Sequence, residues 1–188
     1  PYLKSDGIAA VRKSSTTNKF IYSEDFENPL FVWLKTGTVT ITSNYGVSPD
    51  GTQNSTRIVF DSSNNAFYKY NLHSGNTEAN SIYVKGVSGE TIKFGKGTTV
   101  NAGDIFTLNG SWQRLEYVST TGNQFTINTY SGATARDIQI WGAQIEEQTQ
   151  AETYAPTYGL PVTIDLFTEN NYGTMTNMSA SDIVEDTP

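Results

Sequence analysis

Few side chains in this sequence could perform nucleophilic or acid–base chemistry. His73 is the only imidazole, and it lies in a turn-like stretch, residues 71–75, that lacks the sharp turn exposing a catalytic serine. The chain contains no cysteine, which removes disulfides, thiolate metal sites and cysteine nucleophiles together. A hydrolytic triad is therefore disfavoured, and His73 is interpreted as a structural or solvent-exposed residue.

Glycoside hydrolysis needs only two carboxyl groups, about 5 to 9 Å apart. Six carboxylates are candidates for such a pair: Glu24, Asp25, Glu27, Asp137, Glu146 and Glu147. Adjacent residues of a strand point to opposite faces, so Glu24 and Asp25 cannot share a cleft if their segment is extended. The same holds for the pair at 146–147. Spacing gives no catalytic pair, although distant carboxyls could converge, and the sequence predicts a protein that is not an enzyme.

Aromatic side chains could instead recognise a sugar, because an aromatic ring stacks on the C–H face of a pyranose. Tyr68 and Tyr70 share one face of a predicted strand, and Tyr130 shares a face with Asn128. Tyrosines in this arrangement either bind glycans or form packing pairs between strands. The residues alone leave both interpretations open.

The elements that must position these residues are predicted to be short β-strands. Thr, Ser, Asn and Gly make up 75 of the 188 residues, and no long stretch repeats apolar residues at helical spacing. About ten strands separated by turn residues are expected, as in a two-sheet sandwich or jelly roll. The clearest candidates are residues 38–42, 56–60, 67–72, 81–85, 91–94, 106–108, 112–119, 124–130 and 138–144.

Alternating apolar residues predict which side chains form the core of this sandwich. Trp33 ends the longest apolar run, residues 29–34, which is too short to cross a membrane. Trp141 lies in another apolar segment, and both tryptophans are predicted to be buried. The full set of expected core residues is Phe26, Trp33, Ile58, Trp141 and Ile145.

Composition divides the chain into three parts. Residues 1–20 hold four basic side chains without a sustained period and are predicted to be a connector; residues 21–158 form the domain. Residues 159–188 form an acidic extension with one further strand at 162–168, expected to dock on a partner subunit. Because residue 1 is Pro and no signal sequence opens the chain, it is interpreted as a piece of a longer protein.

Charge argues against nucleic acid as a partner. The chain carries 12 Lys and Arg against 19 Asp and Glu, and residues 137–188 hold nine acids and no Lys or Arg. Affinity for nucleic acid depends on neutralising phosphates, which this distribution cannot do. Without a long apolar segment, no membrane insertion is expected either.

Six blocks in order along the chain carry a resemblance to a known family. They are residues 22–26 (YSEDF) followed by Trp33 and Lys35, 48–52 (SPDGT), 83–85 (YVK), 111–114 (SWQR), 138–147 (IQIWGAQIEE) and 154–157 (YAPT). Together they resemble the carbohydrate-binding-module-like jelly roll of bacteriophage tail and fibre proteins. The resemblance spans residues 20–158 and leaves out the last 30 residues.

This resemblance implies an all-β, antiparallel two-sheet jelly-roll sandwich that recognises cell-surface or environmental glycans on a virion surface without catalysis. The glycan-binding residues expected are Tyr68, Tyr70 and Tyr130, with Asn128 or Arg114 supplying hydrogen bonds. The alternative is a purely structural jelly roll that serves oligomerisation or attachment to other virion proteins. Either role fits a homo-oligomer, with a trimer expected as in fibres.

The opening block also resembles that of carbohydrate-binding jelly rolls in which a calcium ion joins the first strand region to an aspartate near the last strand. Carried over to this sequence, the resemblance implicates Glu27 and Asp137, with backbone carbonyls near Asp25. Oxygen ligands of this kind suit a hard cation. A structural Ca²⁺ is therefore an expectation that follows from the resemblance.

Overall fold

The computed structural model describes residues 2–3, 9–70 and 75–169. His73 and the end of the strand predicted at 67–72 lie outside the described residues. Among the described residues, no helix has the length and hydrophobicity needed to cross a membrane. The strands are β1 (Tyr2–Leu3), β2 (Ala9–Asn18), β3 (Leu34–Thr36), β4 (Val39–Gly46), β5 (Ser55–Phe60), β6 (Ala66–Tyr70), β7 (Glu78–Lys85), β8 (Thr91–Gly97), β9 (Asp104–Thr107), β10 (Gln113–Ser119), β11 (Gln124–Asn128), β12 (Arg136–Glu146) and β13 (Val162–Glu169).

The chain divides into two compact units, and the larger one spans Thr17–Val162. It contains two five-stranded sheets. Sheet A has the order β10-β7-β12-β5-β4, and sheet B has the order β3-β6-β11-β8-β9. Neighbouring strands in both sheets pair antiparallel. The predicted all-β, two-sheet jelly-roll sandwich is confirmed.

Apolar side chains at alternate strand positions fill the space between the two sheets. Ile58 on β5 and Ile82 on β7 belong to the core side of sheet A, and Ile127 on β11 belongs to that of sheet B. This is the period-2 pattern of strands with one buried face. The five residues predicted to be buried are all confirmed: Phe26, Trp33, Ile58, Trp141 and Ile145.

A cluster of aromatic rings packs together in one part of the core. The Trp33 indole stacks on Phe20 at 5.6 Å between ring centroids and on Phe67 at 4.7 Å. Phe125 meets Phe20 edge-on at 4.8 Å. Offset stacked and edge-on pairs of this kind add to the stabilisation that burial of the rings provides.

Two buried polar connections tie the sandwich together. The Asn18 side-chain amide donates to the carbonyls of Ala143 and Ala155 at 3.2 and 2.8 Å, which holds the chain entry against β12 and the segment after it. Lys96 on β8 forms an ion pair with Glu78 on β7, and both side chains are fully buried. Because β7 belongs to sheet A and β8 to sheet B, this ion pair links the two sheets. Removing one partner would leave an uncompensated charge in the interior.

The smaller unit takes its described residues from before Thr17 and after Val162. Its three-stranded sheet has the order β1-β2-β13. The strand predicted at 162–168 is confirmed as β13, and it pairs with β2 of the same chain. The segment predicted as a connector thus contains β1 and β2. Docking of the extension on a partner subunit stays a prediction.

Candidate functional site

A cleft of about 440 Å³ opens on the larger unit. Three stretches of chain build its wall: the turn at 21–28, the neighbouring parts of β4 and β5, and residues 157–158. We refer to it as the Glu24 cleft. The lining combines two tyrosines, two carboxylates, three asparagines and three hydroxyl side chains: Tyr22, Glu24, Asp25, Asn28, Ser43, Asn44, Asn54, Thr56, Thr157 and Tyr158.

The wall that carries both carboxylates is a turn rather than a strand. One Asp25 carboxylate oxygen accepts a hydrogen bond from the Glu27 backbone N–H at 3.3 Å. The other accepts one from the Asn28 side-chain amide at 2.9 Å. Such side-chain bonds to nearby chain atoms stabilise turns. Because strand alternation does not apply here, Glu24 and Asp25 both line the cleft, and the expectation that they face opposite ways is wrong.

Glu24 is held in the cleft by three donors. Its Oε1 accepts a hydrogen bond from the Tyr154 hydroxyl at 3.0 Å. Its Oε2 accepts from the Asn54 side-chain amide at 2.9 Å and from the Tyr158 hydroxyl at 3.4 Å. Burial raises the pKa of the Glu24 carboxyl, the nearby charge of Asp50 adds to the rise, and the hydroxyl donors oppose it. The carboxylate retains lone pairs for a ligand, since each oxygen accepts more than one hydrogen bond.

Tyr154 reaches Glu24 because a glycine leaves room behind it. The pairing of β12 with β7 is irregular between Trp141 and Gln144. Gly142 lies in this bulge with φ 64°, and a Cβ there would come within 3.1 Å of the Tyr154 ring. The Tyr154 ring packs on Trp141 at 4.6 Å between centroids. Burial raises the pKa of Tyr154, so its hydroxyl stays protonated as a donor.

Arg114, predicted to hydrogen-bond a glycan, lies on β10 of sheet A and binds other groups of the protein. Its Nη1 donates to the Glu152 carbonyl at 2.6 Å, and its Nη2 donates to the Ser81 hydroxyl at 2.8 Å. The guanidinium lies 5.6 Å from the centroid of the Tyr83 ring. Arg114 belongs to sheet A, so the structure does not bring it together with the predicted tyrosines of sheet B.

Tyr68 and Tyr70 project from β6 of sheet B. Their rings meet edge-on at 5.1 Å within this one strand, so the contact is not the pair between strands that the sequence left open. Both tyrosines remain partly exposed. Tyr130 follows β11 and its hydroxyl is 2.8 Å from that of Thr91 on β8, so it lies across β11 from Tyr68.

A loop, residues 98–103, covers the neighbouring strand of sheet B. Gln124, Thr126 and Asn128 lie at alternate positions of β11 and donate to the carbonyls of residues 98, 100 and 102 at 2.7, 2.7 and 3.3 Å. Asn128 is fully buried there. The expectation that Asn128 offers hydrogen bonds to a glycan does not fit this position, because its side chain anchors the loop. We refer to the outer side of β6 and β11 as the Tyr68 face.

Glu27 and Asp137 as placed do not fit the implied calcium site. Glu27 accepts a hydrogen bond from the Ser43 hydroxyl at 2.5 Å. Both carboxylate oxygens of Asp137 face Arg57, whose Nε and Nη2 donate at 2.8 and 2.5 Å. The described residues contain no group of three or more His, Cys, Asp or Glu side chains placed to hold a metal ion. A cation at Asp137 would share these oxygens with the Arg57 guanidinium, whose positive charge opposes its binding.

The sequence did not single out Asn54, Tyr154 and Tyr158 as site residues, and it considered Glu24 and Asp25 only as catalytic candidates. The cleft joins stretches more than 100 residues apart in the chain, so no local pattern shows it. One signal was present: two of the blocks that carry the family resemblance, residues 22–26 and 154–157, contribute side chains to the cleft or directly behind it.

No protein-family model matches the chain, and no curated protein matches it. Several solved structures show similarity, among them the following two. The CBM22-1 and GH10 modules of endo-1,4-β-D-xylanase 10B from Clostridium thermocellum, complexed with xylohexaose, match at TM-score 0.46 and 17% identity, over 74% of this chain and 29% of that one. The enzymatically active domain of tailspike protein 4 from bacteriophage CBA120 matches at TM-score 0.42 and 14% identity, over 66% of this chain and 21% of that one.

Proposed function

We propose that this protein is a non-catalytic glycan-binding module of a phage virion appendage, such as a tail fibre, spike or capsid decoration, and that the Glu24 cleft holds the glycan. The observation that carries the proposal is the chemistry of the lining, which offers carboxylate, amide and hydroxyl groups beside two tyrosine rings. Sugars present dense hydroxyl groups on a ring with apolar C–H faces, and this lining matches both features.

The acceptors of the cleft are held in fixed positions. Glu24 is oriented by Tyr154 and Asn54, and Asp25 by the turn that it closes. A binding group that is already ordered loses less entropy when the ligand arrives. The same hydrogen bonds support a binding role for the two carboxylates, since each is engaged with protein donors rather than with a second carboxyl group.

Placement on a virion appendage is supported by the six sequence blocks that resemble phage tail and fibre jelly rolls. A single shallow cleft binds sugar weakly, and linked copies on a fibre convert later binding events into intramolecular ones. Host or environmental polysaccharide is the partner of the cleft in this proposal. Tyr68 and Tyr70, the tyrosines expected from the sequence, lie on sheet B outside this cleft.

Calorimetric titration with oligosaccharides prepared from bacterial surface polysaccharides tests the proposal. Tyr158 is 76% exposed and lies in the cleft, so Tyr158→Ala removes a ring without opening the core. We expect this variant to lose about 2- to 10-fold in affinity. Tyr68→Ala is the matched control and should bind like the parent protein. Loss of binding in Tyr68→Ala alone would move the site to the Tyr68 face.

A second candidate function is structural, and exposed apolar side chains favour it. Leu30, Val32 and Leu34 alternate along one stretch and are 79%, 55% and 38% exposed. Exposed apolar residues in one place mark contact surfaces of proteins. A jelly roll that attaches to other virion proteins, or trimerises through this stretch, would assemble without glycan. Light scattering of the full chain, and of a chain truncated after Gly159, tests whether assembly occurs and whether the extension drives it.

A further inference from the structure

The charge of the Glu24 cleft is one-sided. Glu24 and Asp25 are both in the lining, and Asp50 lies close enough to affect the charge of Glu24. None of the ten lining residues is Lys or Arg. The larger unit, residues 17–162, holds 13 Asp and Glu against nine Lys and Arg, so its net charge has the same sign.

Two arginines of sheet A bind groups outside the cleft. Arg57 follows the lining residue Thr56 along β5, and its Nε and Nη2 donate hydrogen bonds to the Asp137 carboxylate. Arg114 donates to Glu152 and Ser81 on the outer side of sheet A. A ligand that brings a negative charge into the cleft would therefore meet two carboxylates and no lining cation to offset them.

The same lining suits a positively charged group. An ammonium has three N–H donors and no acceptor, so it matches an environment of carboxylate and amide oxygens. The faces of Tyr22 and Tyr158 also attract cations through their ring quadrupoles. A neutral sugar can use the oxygens through its hydroxyl groups but gains no Coulombic attraction.

We infer that the cleft selects glycans by charge: it takes sugars with free amino groups in preference to neutral sugars, and it rejects sugars that carry carboxylate or phosphate groups. This inference rests on the proposed function, and it names the substrate class of the same cleft. Teichuronic-type and other acidic polysaccharides are thereby excluded as ligands, while de-N-acetylated amino-sugar polymers are favoured.

Three β-1,4-linked oligosaccharides of equal length test the inference, because they share one backbone and differ in the substituent that carries the charge. They are oligomers of glucose, of glucosamine and of glucuronic acid, titrated slightly below neutral pH, where the amino groups are protonated, in low and high salt. We expect the glucosamine oligomer to bind about fivefold more tightly than the glucose oligomer at low salt, and the glucuronic acid oligomer to bind at least fivefold less tightly. Added salt should shrink both differences.

Two variants make the test specific to the cleft. Glu24→Gln and Asp25→Asn should each reduce the differences in affinity among the three sugars. Glu116→Gln is the control, because it removes an equal charge from an exposed position on β10 outside the lining, and it should leave these differences unchanged. Equal affinity for the glucose and glucuronic acid oligomers would overturn the charge selection while leaving glycan binding in place. Failure of all three sugars to bind would overturn the proposed function, and this inference with it.

Discussion

The Glu24 cleft and the Tyr68 face place similar side chains in opposite situations. Both combine tyrosine rings with polar side chains. On the Tyr68 face, Gln124, Thr126 and Asn128 direct their donors into the carbonyls of the loop at 98–103. In the cleft, the donors point at Glu24 and leave a space of about 440 Å³ in front of its acceptors.

The difference lies in what covers each surface. The loop at 98–103 can lie on sheet B because two strand positions of β8 are glycine. A Cβ at Gly95 would come within 2.3 Å of the Gly103 Cα, and one at Gly97 within 2.4 Å of the Ala102 Cβ. Within the part of the chain that the structure describes, no loop closes the cleft in this way, and its wall is a turn with hydrogen bonds of its own. Where glycines let a loop lie on a sheet, the polar side chains beneath it anchor that loop. Where no loop lies on them, polar side chains remain available to a ligand.

The largest expected effect separates the two surfaces by ligand affinity. Glu24→Ala removes a charged acceptor and leaves Asn54 and Tyr154 without their partner. Hydrogen bonds to charged groups contribute about 1.5 to 3 kcal/mol, so we expect glycan affinity to fall about 10- to 100-fold in calorimetric titration.

Gln124→Ala on β11 is the matched change on the Tyr68 face. It removes one anchor of the loop at 98–103, and we expect glycan affinity to stay at the parent value. Circular dichroism of both variants checks that the sandwich is intact. A larger loss of affinity in Gln124→Ala than in Glu24→Ala would reverse the assignment of the two surfaces.

The next effect concerns stability and acts only on the covered surface. Gly97→Ala places a methyl group against Ala102, and overpacking of this kind costs about 1 to 3 kcal/mol in the free energy of unfolding. The double variant Gly97→Ala, Ala102→Gly removes the clash and should recover most of the loss, as measured by chemical denaturation. If the double variant is no more stable than the single one, the loop does not lie on β8 in this way.

The strands of the sandwich could be predicted from the sequence because their patterns are local. Ile58 and Phe60 lie at alternate positions of β5, and both are fully buried. The ends of the strands were harder to predict. The strand expected at 38–42 runs on to Gly46 as part of β4, because Asn44 takes φ 52° and the register shifts between Thr42 and Gly46. An irregularity of this kind interrupts the alternation without ending the strand.

The surfaces were harder to predict because a polar strand face has the same sequence pattern whether water or a loop covers it. Asn128 illustrates this, since the face that it shares with Tyr130 was expected to meet a glycan and the structure buries Asn128 under a loop. The glycines at 95 and 97 were the available signal of a close approach. Glu24 and Asp25 illustrate the converse, because a turn brought together two carboxylates that a strand would have separated.

A smaller effect distinguishes the surfaces by pH. Burial raises the pKa of Glu24 above its ordinary value of 4.5, whereas neither strand of the Tyr68 face, β6 or β11, contains a carboxylate. As pH falls through the raised pKa, Glu24 gains a proton and its hydrogen bonds to a sugar lose their charge assistance. We expect affinity for a neutral oligosaccharide to fall about fivefold below that pH.

Glu24→Gln provides the control for this pH dependence, because a glutamine keeps the shape of the side chain and does not titrate. Its affinity should be lower at neutral pH and nearly constant as the pH falls. The measurement is a series of calorimetric titrations from pH 7 downward. The same pH profile in the parent protein and in Glu24→Gln would show that another group controls binding.

The smallest expected effect concerns the calcium ion that the family resemblance implies. Asp137 gives both carboxylate oxygens to Arg57, and Glu27 bonds to Ser43 instead. A ligand that binds only the native state raises its melting temperature, so a calcium site would show as a difference between chelator and millimolar calcium. We expect no difference in the parent protein. Arg57→Ala frees the Asp137 carboxylate and is the informative variant. If calcium raises the melting temperature of this variant alone, the arginine takes the place of the ion. If calcium raises the melting temperature of the parent protein and Asp137→Asn abolishes the rise, the calcium site is established and the arrangement described for Arg57 is overturned.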